Sequence, residues 1–238
     1  MKDVLKMMRF DFLTVKPMAM TIIIIVGLFT FAASLFFSPV ICSYISFIAV
    51  MFVFPLQGVA DKSNFNKLYG TLPIDRKNIT RSRFLYIFLV FFLFEIIELV
   101  LAFISRSLEL YKILPNQKSE MMEFIKNSFE NTLFQNVAIV GIFAGLCLIL
   151  GYMQMMGQIL GKEHEFKVLI ITMGVIVLLI FGFLMLSDHD IIPTFKLPGI
   201  PGSTAGRVIL AVVLNIAAFG VCILFGEITA NKLAKREL

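Results

Sequence analysis

Charge is scarce in this sequence, and tryptophan is absent altogether. Charged residues make up 16% of the chain and apolar residues 59%, with 26 phenylalanines and a mean hydropathy of +0.92. A soluble domain typically contains about 25% charged and about 45–50% apolar residues. The scarcity of charge therefore argues against a soluble domain, a disordered chain or a nucleic-acid-binding protein. It indicates a protein that is surrounded by lipid.

Cysteine and histidine are also rare. The three cysteines, Cys42, Cys147 and Cys222, are far apart and each lies in an apolar run. This spacing argues against a disulfide framework and predicts small buried thiols. His164 and His189 each lie between two acidic residues, and three successive residues do not readily converge on one metal ion. No Ser–His–Asp or Cys–His arrangement is recognisable, so we predict neither a metal site nor a catalytic group.

Long intervals without Asp, Glu, Lys or Arg give the predicted membrane topology. The interval 17–60 is long enough for two helices, because one crossing needs about 20 residues, and Pro39 marks the turn between them. The equally apolar stretch 84–105 differs only in containing Glu95 and Glu98. We therefore predict an all-α, polytopic protein with one membrane domain, whose six transmembrane helices span about 17–37, 39–58, 84–105, 134–156, 168–186 and 208–226.

The basic residues predict the orientation. If the N-terminus is inside, most of the 21 Lys and Arg residues fall in cytoplasmic segments, so both termini are expected to be cytoplasmic. Residues 1–16 are predicted to form an amphipathic helix in the inner membrane interface, with Lys6 and Arg9 on one face and Leu5 and Phe12 on another. The alternative is an ordinary charged start to the first span.

The cytoplasmic loop 59–83 contains a second amphipathic pattern. Phe65, Leu68 and Leu72 recur at helical spacing and predict a two-turn helix that Pro73 ends. A short helix with exposed apolar side chains is suited to docking in a groove of another protein. The alternative is a loop that folds back onto the lipid surface, held there by its cations.

The helix that follows this loop has its own start signal. Asp75 is a predicted N-cap for a helix that begins at Arg76 and continues into the third span. The surrounding residues then resemble a segment, Leu-Pro-hydrophobic-x-Arg-Lys-x-Ile, of the permease subunits of type-2 ABC exporters. The matching residues are Leu72, Pro73, Ile74, Arg76, Lys77 and Ile79.

The rest of the chain is similar to that family in architecture. The six spans, the cytoplasmic termini and the N-terminal amphipathic helix all match, and the overall pattern most resembles the compact permeases of Gram-positive peptide exporters, such as those for phenol-soluble modulins. Asp75 lies where a small hydroxyl residue is common in the family, and Asp caps helices as well as Ser does.

This resemblance implies a multi-pass permease of the bacterial cell membrane that exports an amphipathic or hydrophobic substrate, such as a peptide or an antimicrobial compound. A second permease copy or a paralogue would complete the path. ATP and Mg would bind a separate ATPase subunit, in two copies, that grips the loop 59–83. The implied ATPase-coupling residues are Phe65, Leu68, Tyr69, Leu72, Pro73, Arg76 and Lys77.

The chain itself is expected to bind no nucleotide or other cofactor. The stretch from Gly157 to Lys162 has three residues between its glycines, where a phosphate-binding loop needs four. We therefore predict a non-catalytic transport subunit that depends on its partner for ATP hydrolysis.

Two carboxylates within the third span are the main candidates for the substrate path. Glu95 and Glu98 are three residues apart on one face, and an ionisable group at mid-depth costs roughly 2.5–3.5 kcal/mol, so both should face protein or water. Together with Asn215 they form the predicted polar patch on the path. The structural alternative is a pair that is hydrogen-bonded to neighbours such as Asn215 or Gln154.

Two other classes of protein are alternatives to the permease, and the sequence argues against the second. In a proton-coupled secondary transporter, Glu95 or Glu98 would carry protons. An intramembrane enzyme would need histidine within the spans, which the sequence does not provide.

Two further features concern helix packing and the outer surface. Gly141 and Gly145 form a small-xxx-small pair that predicts close approach of another helix. The extracellular loop 106–133 has the spacing of an amphipathic helix, which would cap the pathway or lie on the outer leaflet.

Overall fold

The computed structural model describes residues 2–22, 27–36, 45–53, 75–108, 132–160 and 204–236, together with positions 167, 170, 171 and 174. The described residues are almost entirely helical, as the sequence predicts. In chain order the helices are α1 (Lys2–Ile22), α2 (Leu28–Phe36), α3 (45–53), α4 (Arg76–Ser107), α5 (Thr132–Leu160) and α6 (Thr204–Arg236).

Three of these helices are long and apolar enough to cross a membrane, which indicates a membrane protein. α4, α5 and α6 contain 32, 29 and 33 residues. At 1.5 Å per residue each is more than about 40 Å long, whereas the hydrocarbon core of a bilayer is about 30 Å thick. Their apolar stretches are Lys77–Ser105, Asn136–Leu160 and Ala205–Leu233.

The three long helices coincide with the third, fourth and sixth predicted spans, and each continues beyond its span. α6, for example, runs to Arg236 although its charge-free interval ends at residue 226. Charged residues mark the edge of the hydrocarbon, but they do not end a helix. The predicted spans 17–37 and 39–58 coincide only in part with α1 to α3, and 168–186 lies almost entirely outside the described residues.

The start of α4 confirms the predicted cap. The carboxylate Oδ1 of Asp75 accepts a hydrogen bond from the backbone N–H of Lys77 at 3.1 Å, and α4 begins at Arg76. The backbone carbonyl of Asp75 accepts the N–H groups of Asn78 and Ile79 at 2.8 and 3.2 Å. The side chain thus satisfies one of the backbone donors that the first turn of a helix leaves without a partner.

Loss of this cap is expected to weaken the first turn of α4. Asp75→Ala should lower the free energy of unfolding by about 1 kcal/mol. For a chain of this size the melting temperature should then fall by about 2–4 °C, as measured by thermal scanning in detergent. Asp75→Ser, which keeps a capping oxygen, is the control and should melt within about 1 °C of the wild type. Equal melting of the Ala and Ser variants would contradict a capping role.

α1 is one continuous helix that lies against α4. Met7, Asp11 and Val15 recur every four residues on its buried face, whereas Leu5 and Phe12 remain exposed. Contact of this exposed apolar face with lipid stays a prediction. The predicted boundary between residues 16 and 17 lies inside α1, and the helix includes Pro17.

α4 lies at the centre of the described helices. It packs against α1, α2, α5 and α6, and its sequence contains neither glycine nor proline. Phe91 of α4 meets Phe143 of α5 edge to face, with ring centroids 6.4 Å apart, and both side chains are fully buried. α6 occupies an outer position among the described helices. Only 11% of its apolar stretch is buried, compared with 50% of that of α5.

α5 and α6 approach each other closely at Gly151, which the sequence did not single out. A Cβ atom at this position would lie 3.3 Å from Cδ2 of Phe225 and 3.8 Å from Sγ of Cys222. The close helix approach predicted at Gly141 and Gly145 is not found there among the described helices. An added Cβ at either position would meet nothing within 4 Å.

The same interface contains two of the three cysteines. Cys147 of α5 and Cys222 of α6 are free and buried, and their Sγ atoms are 3.5 Å apart. Cys42 lies outside the described residues. The thiols therefore act as small packing groups beside Gly151.

Candidate functional site

A groove of about 770 Å³ lies beside α4, α5 and α6. Most of its lining is apolar, and the side chains include four phenylalanines: Phe88, Phe92, Phe103 and Phe219. Its volume falls within the range of about 300–1,000 Å³ that is usual for small-molecule sites. The polar side chains in the lining are Glu95, Asn136, Arg207 and Asn215.

Glu95 and Asn215 form a hydrogen-bonded pair in the wall of this groove. The amide Nδ2 of Asn215 in α6 donates to Oε1 of Glu95 in α4 at 2.8 Å. The same amide also donates to the carbonyl oxygen of Ala211 at 3.2 Å, one turn earlier in α6, which fixes its orientation. Glu95 is only 3% exposed. The structure therefore brings together Glu95 and Asn215, two of the three predicted substrate-path residues. Their hydrogen bond is also the contact that the structural alternative predicts.

Glu98 faces a different part of the protein. Its Oε2 accepts a hydrogen bond from the hydroxyl of Ser34 in α2 at 3.3 Å, and its carboxylate faces the backbone N–H of Ile45 in α3. The residue is fully buried and does not line the groove. A second contact on this side, from the hydroxyl of Ser105 to the carbonyl of Leu35, also ties α4 to α2.

The two carboxylates therefore do not form one polar patch. Residues three apart on a helix differ in direction by about 60°. Because α4 has α2 and α3 on one side and α6 on the other, this angle is enough to turn Glu95 and Glu98 toward different neighbours. A molecule in the groove would meet Glu95 and Asn215, whereas Glu98 joins α2, α3 and α4.

A salt bridge links α4 and α6 near the start of α4. Nη2 of Arg81 donates to Oε2 of Glu227 at 2.9 Å, and Nε of Arg81 lies 2.7 Å from Oε1. One turn further along, the ring of Phe84 packs on Gly226, where an added Cβ would lie 3.5 Å from Cδ2. The start of α4 is thus fastened to α6.

Sequence reasoning missed this salt bridge, although a signal for it exists. Arg81 precedes the third predicted span and Glu227 follows the sixth, so the predicted topology places both at the cytoplasmic edge. Opposite charges at the same edge are candidates for pairing. The sequence cannot say that these two helices are neighbours.

Most of the predicted ATPase-coupling residues lie outside the described residues. These are Phe65, Leu68, Tyr69, Leu72 and Pro73. Arg76 is described as the first residue of α4, and Lys77 donates its backbone N–H to the Asp75 cap.

The described helices contain no cluster of three or more His, Cys, Asp or Glu side chains that could hold a metal ion. Both histidines lie outside these residues. The groove is therefore described by its apolar lining and its carboxylate–amide pair.

Comparison of the chain with protein-family models, with curated proteins and with solved structures finds no match.

Proposed function

We propose that this chain is the permease subunit of an ATP-driven exporter of the type-2 ABC class. It would cross the bacterial cell membrane six times with both termini in the cytoplasm, and it would catalyse no reaction itself. A separate ATPase, in two copies, would supply the energy. A second permease copy or a paralogue would complete the path for an amphipathic or hydrophobic substrate, such as a peptide.

The observation that carries the proposal is the connection from the cytoplasmic loop to the groove. The predicted coupling residues from Phe65 to Pro73 precede the Asp75 cap in the sequence, and α4 begins at that cap as a helix without glycine or proline. Two contacts then tie α4 to α6, namely the Arg81–Glu227 salt bridge near the loop and the Glu95–Asn215 hydrogen bond in the groove. A force applied to the loop would therefore reach both walls of the groove.

A double substitution in the loop tests the proposal. Leu68→Asp with Leu72→Asp should reduce recovery of an ATPase subunit with the tagged chain, from membranes of its own host, by at least about tenfold. A tenfold loss corresponds to about 1.4 kcal/mol, which is less than the burial of one leucine side chain contributes. The amount of chain in the membrane should not change.

The matched control places the same two charges away from the apolar face of the predicted helix. Ser63→Asp with Asn66→Asp should leave ATPase recovery within about twofold of the wild type, because neither position belongs to the face formed by Phe65, Leu68 and Leu72. The proposal is wrong if the wild-type chain recovers no ATP-hydrolysing subunit, or if both double variants recover it equally.

Transport measurements address the alternative of a proton-coupled secondary transporter that uses Glu95 or Glu98. The position of Glu95 in the groove wall is the observation that favours it. Transport by the purified chain in liposomes, driven by a pH gradient without ATP, would support that alternative and overturn the exporter proposal.

A further inference from the structure

The wall of the groove combines one carboxylate with several aromatic rings. Phe88 stacks on Phe92 with centroids 5.7 Å apart, and it meets Phe219 of α6 at 4.9 Å in a tilted arrangement. All three rings line the groove together with Glu95. Aromatic rings attract cations through the negative electrostatic potential of their faces.

The carboxylate of Glu95 has capacity for a further partner. Oε1 accepts the hydrogen bond from Asn215, and the described residues offer no other hydrogen-bond donor to this carboxylate. An ionised carboxylate can accept at both of its oxygens. In surroundings with so few polar groups, an opposite charge close to Oε2 would be screened far less than in water.

We infer that this groove binds hydrophobic cations, with the apolar part of the ligand against Phe88, Phe92 and Phe219 and the positive charge at Glu95. The chemical class includes lipophilic ammonium and phosphonium ions and the basic side chains of amphipathic peptides. The inference rests on the proposed function in one respect, which is that it takes such a cation to be the transported substrate. Binding itself requires neither ATP nor a partner.

A pair of ions with the same shape and opposite charge provides the test. The full chain is placed in lipid nanodiscs of phosphatidylcholine, and saturable binding of tritiated tetraphenylphosphonium and of tetraphenylborate is measured by displacement with the unlabelled ion. The wild type is expected to bind the phosphonium saturably and to bind the borate at least tenfold more weakly. Equal or tighter saturable binding of the borate, or no saturable binding of the phosphonium, would overturn the inference.

Two carboxylate variants locate the site. Glu95→Gln removes the ionisable group in the groove and should weaken phosphonium binding about tenfold. Glu98→Gln makes the same chemical change on the side of α4 that faces α2, and it should bind within about twofold of the wild type. Unchanged binding by Glu95→Gln, or an equal loss in both variants, would contradict the assignment of the charge site to Glu95.

A third variant keeps the test decisive if either glutamine variant fails to fold. Ala211→Phe adds a ring to the groove lining without changing any charge, and it should reduce phosphonium binding at least fivefold. Unchanged binding by this variant would place the phosphonium site elsewhere.

The outcome separates this inference from the proposed function. The ions bind the chain alone, so a negative result leaves the recovery of an ATPase through Leu68 and Leu72 unaffected. Conversely, a chain that recovers no ATPase can still be tested for selective cation binding.

Discussion

Gly151→Leu is expected to lower the melting temperature of the detergent-solubilised protein by about 2–12 °C. The first added carbon alone would lie 3.3 Å from Cδ2 of Phe225, and the remaining three would have to displace that ring or push α6 away from α5. Overpacking of a close interface costs about 1–3 kcal/mol. For a chain of this length each kcal/mol lowers the melting temperature by about 2–4 °C.

Gly141→Leu is the matched control for this substitution. It changes the same residue type in the same helix, and an added Cβ at Gly141 meets nothing within 4 Å. Its melting temperature should stay within about 2 °C of the wild type. If Gly141→Leu melts as early as Gly151→Leu, the loss comes from glycine replacement in α5 in general, and the close approach at Gly151 is not its cause.

A second effect on stability is expected from reversing one charge of the Arg81–Glu227 salt bridge. Arg81→Glu removes the contacts at 2.7 and 2.9 Å and places two carboxylates opposite each other. Both side chains are about 40% exposed, so water screens part of the repulsion. We expect a loss of about 1 kcal/mol, near the upper end of the range for exposed pairs, and a fall of about 2–4 °C in melting temperature.

The double variant is the control for this pair. Arg81→Glu combined with Glu227→Arg restores opposite charges at the same two positions, and it should recover at least half of the lost melting temperature. The single variant Glu227→Arg should melt as early as Arg81→Glu. No recovery in the double variant would mean that the salt bridge does not stabilise the contact between α4 and α6.

Local chemistry explains which parts of the fold were predictable. The start of α4 was predicted because an N-cap depends only on neighbouring residues, and Asp75 carries that signal by itself. Two of the three long helices were predicted from charge-free intervals, and the third from an apolar stretch whose only charged residues are Glu95 and Glu98. Both signals exist because the hydrocarbon disfavours charge whatever the fold is.

Features that depend on which helices are neighbours could not be predicted in the same way. Gly141, Gly145 and Gly151 are all small residues in α5, and only the packing of α6 shows that Gly151 lies at the close contact. The same is true of the candidate site. The sequence placed Glu95 and Glu98 on one face of a helix, but the positions of α2 and α6 decide that they serve different sites.

The absence of glycine and proline from α4 has a mechanical consequence. Sharp kinks in helices almost always arise at proline, at glycine or serine pairs, or at bulges. The 32 residues of α4 should therefore tilt as one rigid body. Over a length of about 48 Å, a tilt of about 10° at one end would move the other end by about 8 Å. A small rotation of α4 about its first turn would therefore displace its last turn much more than the residues near the pivot.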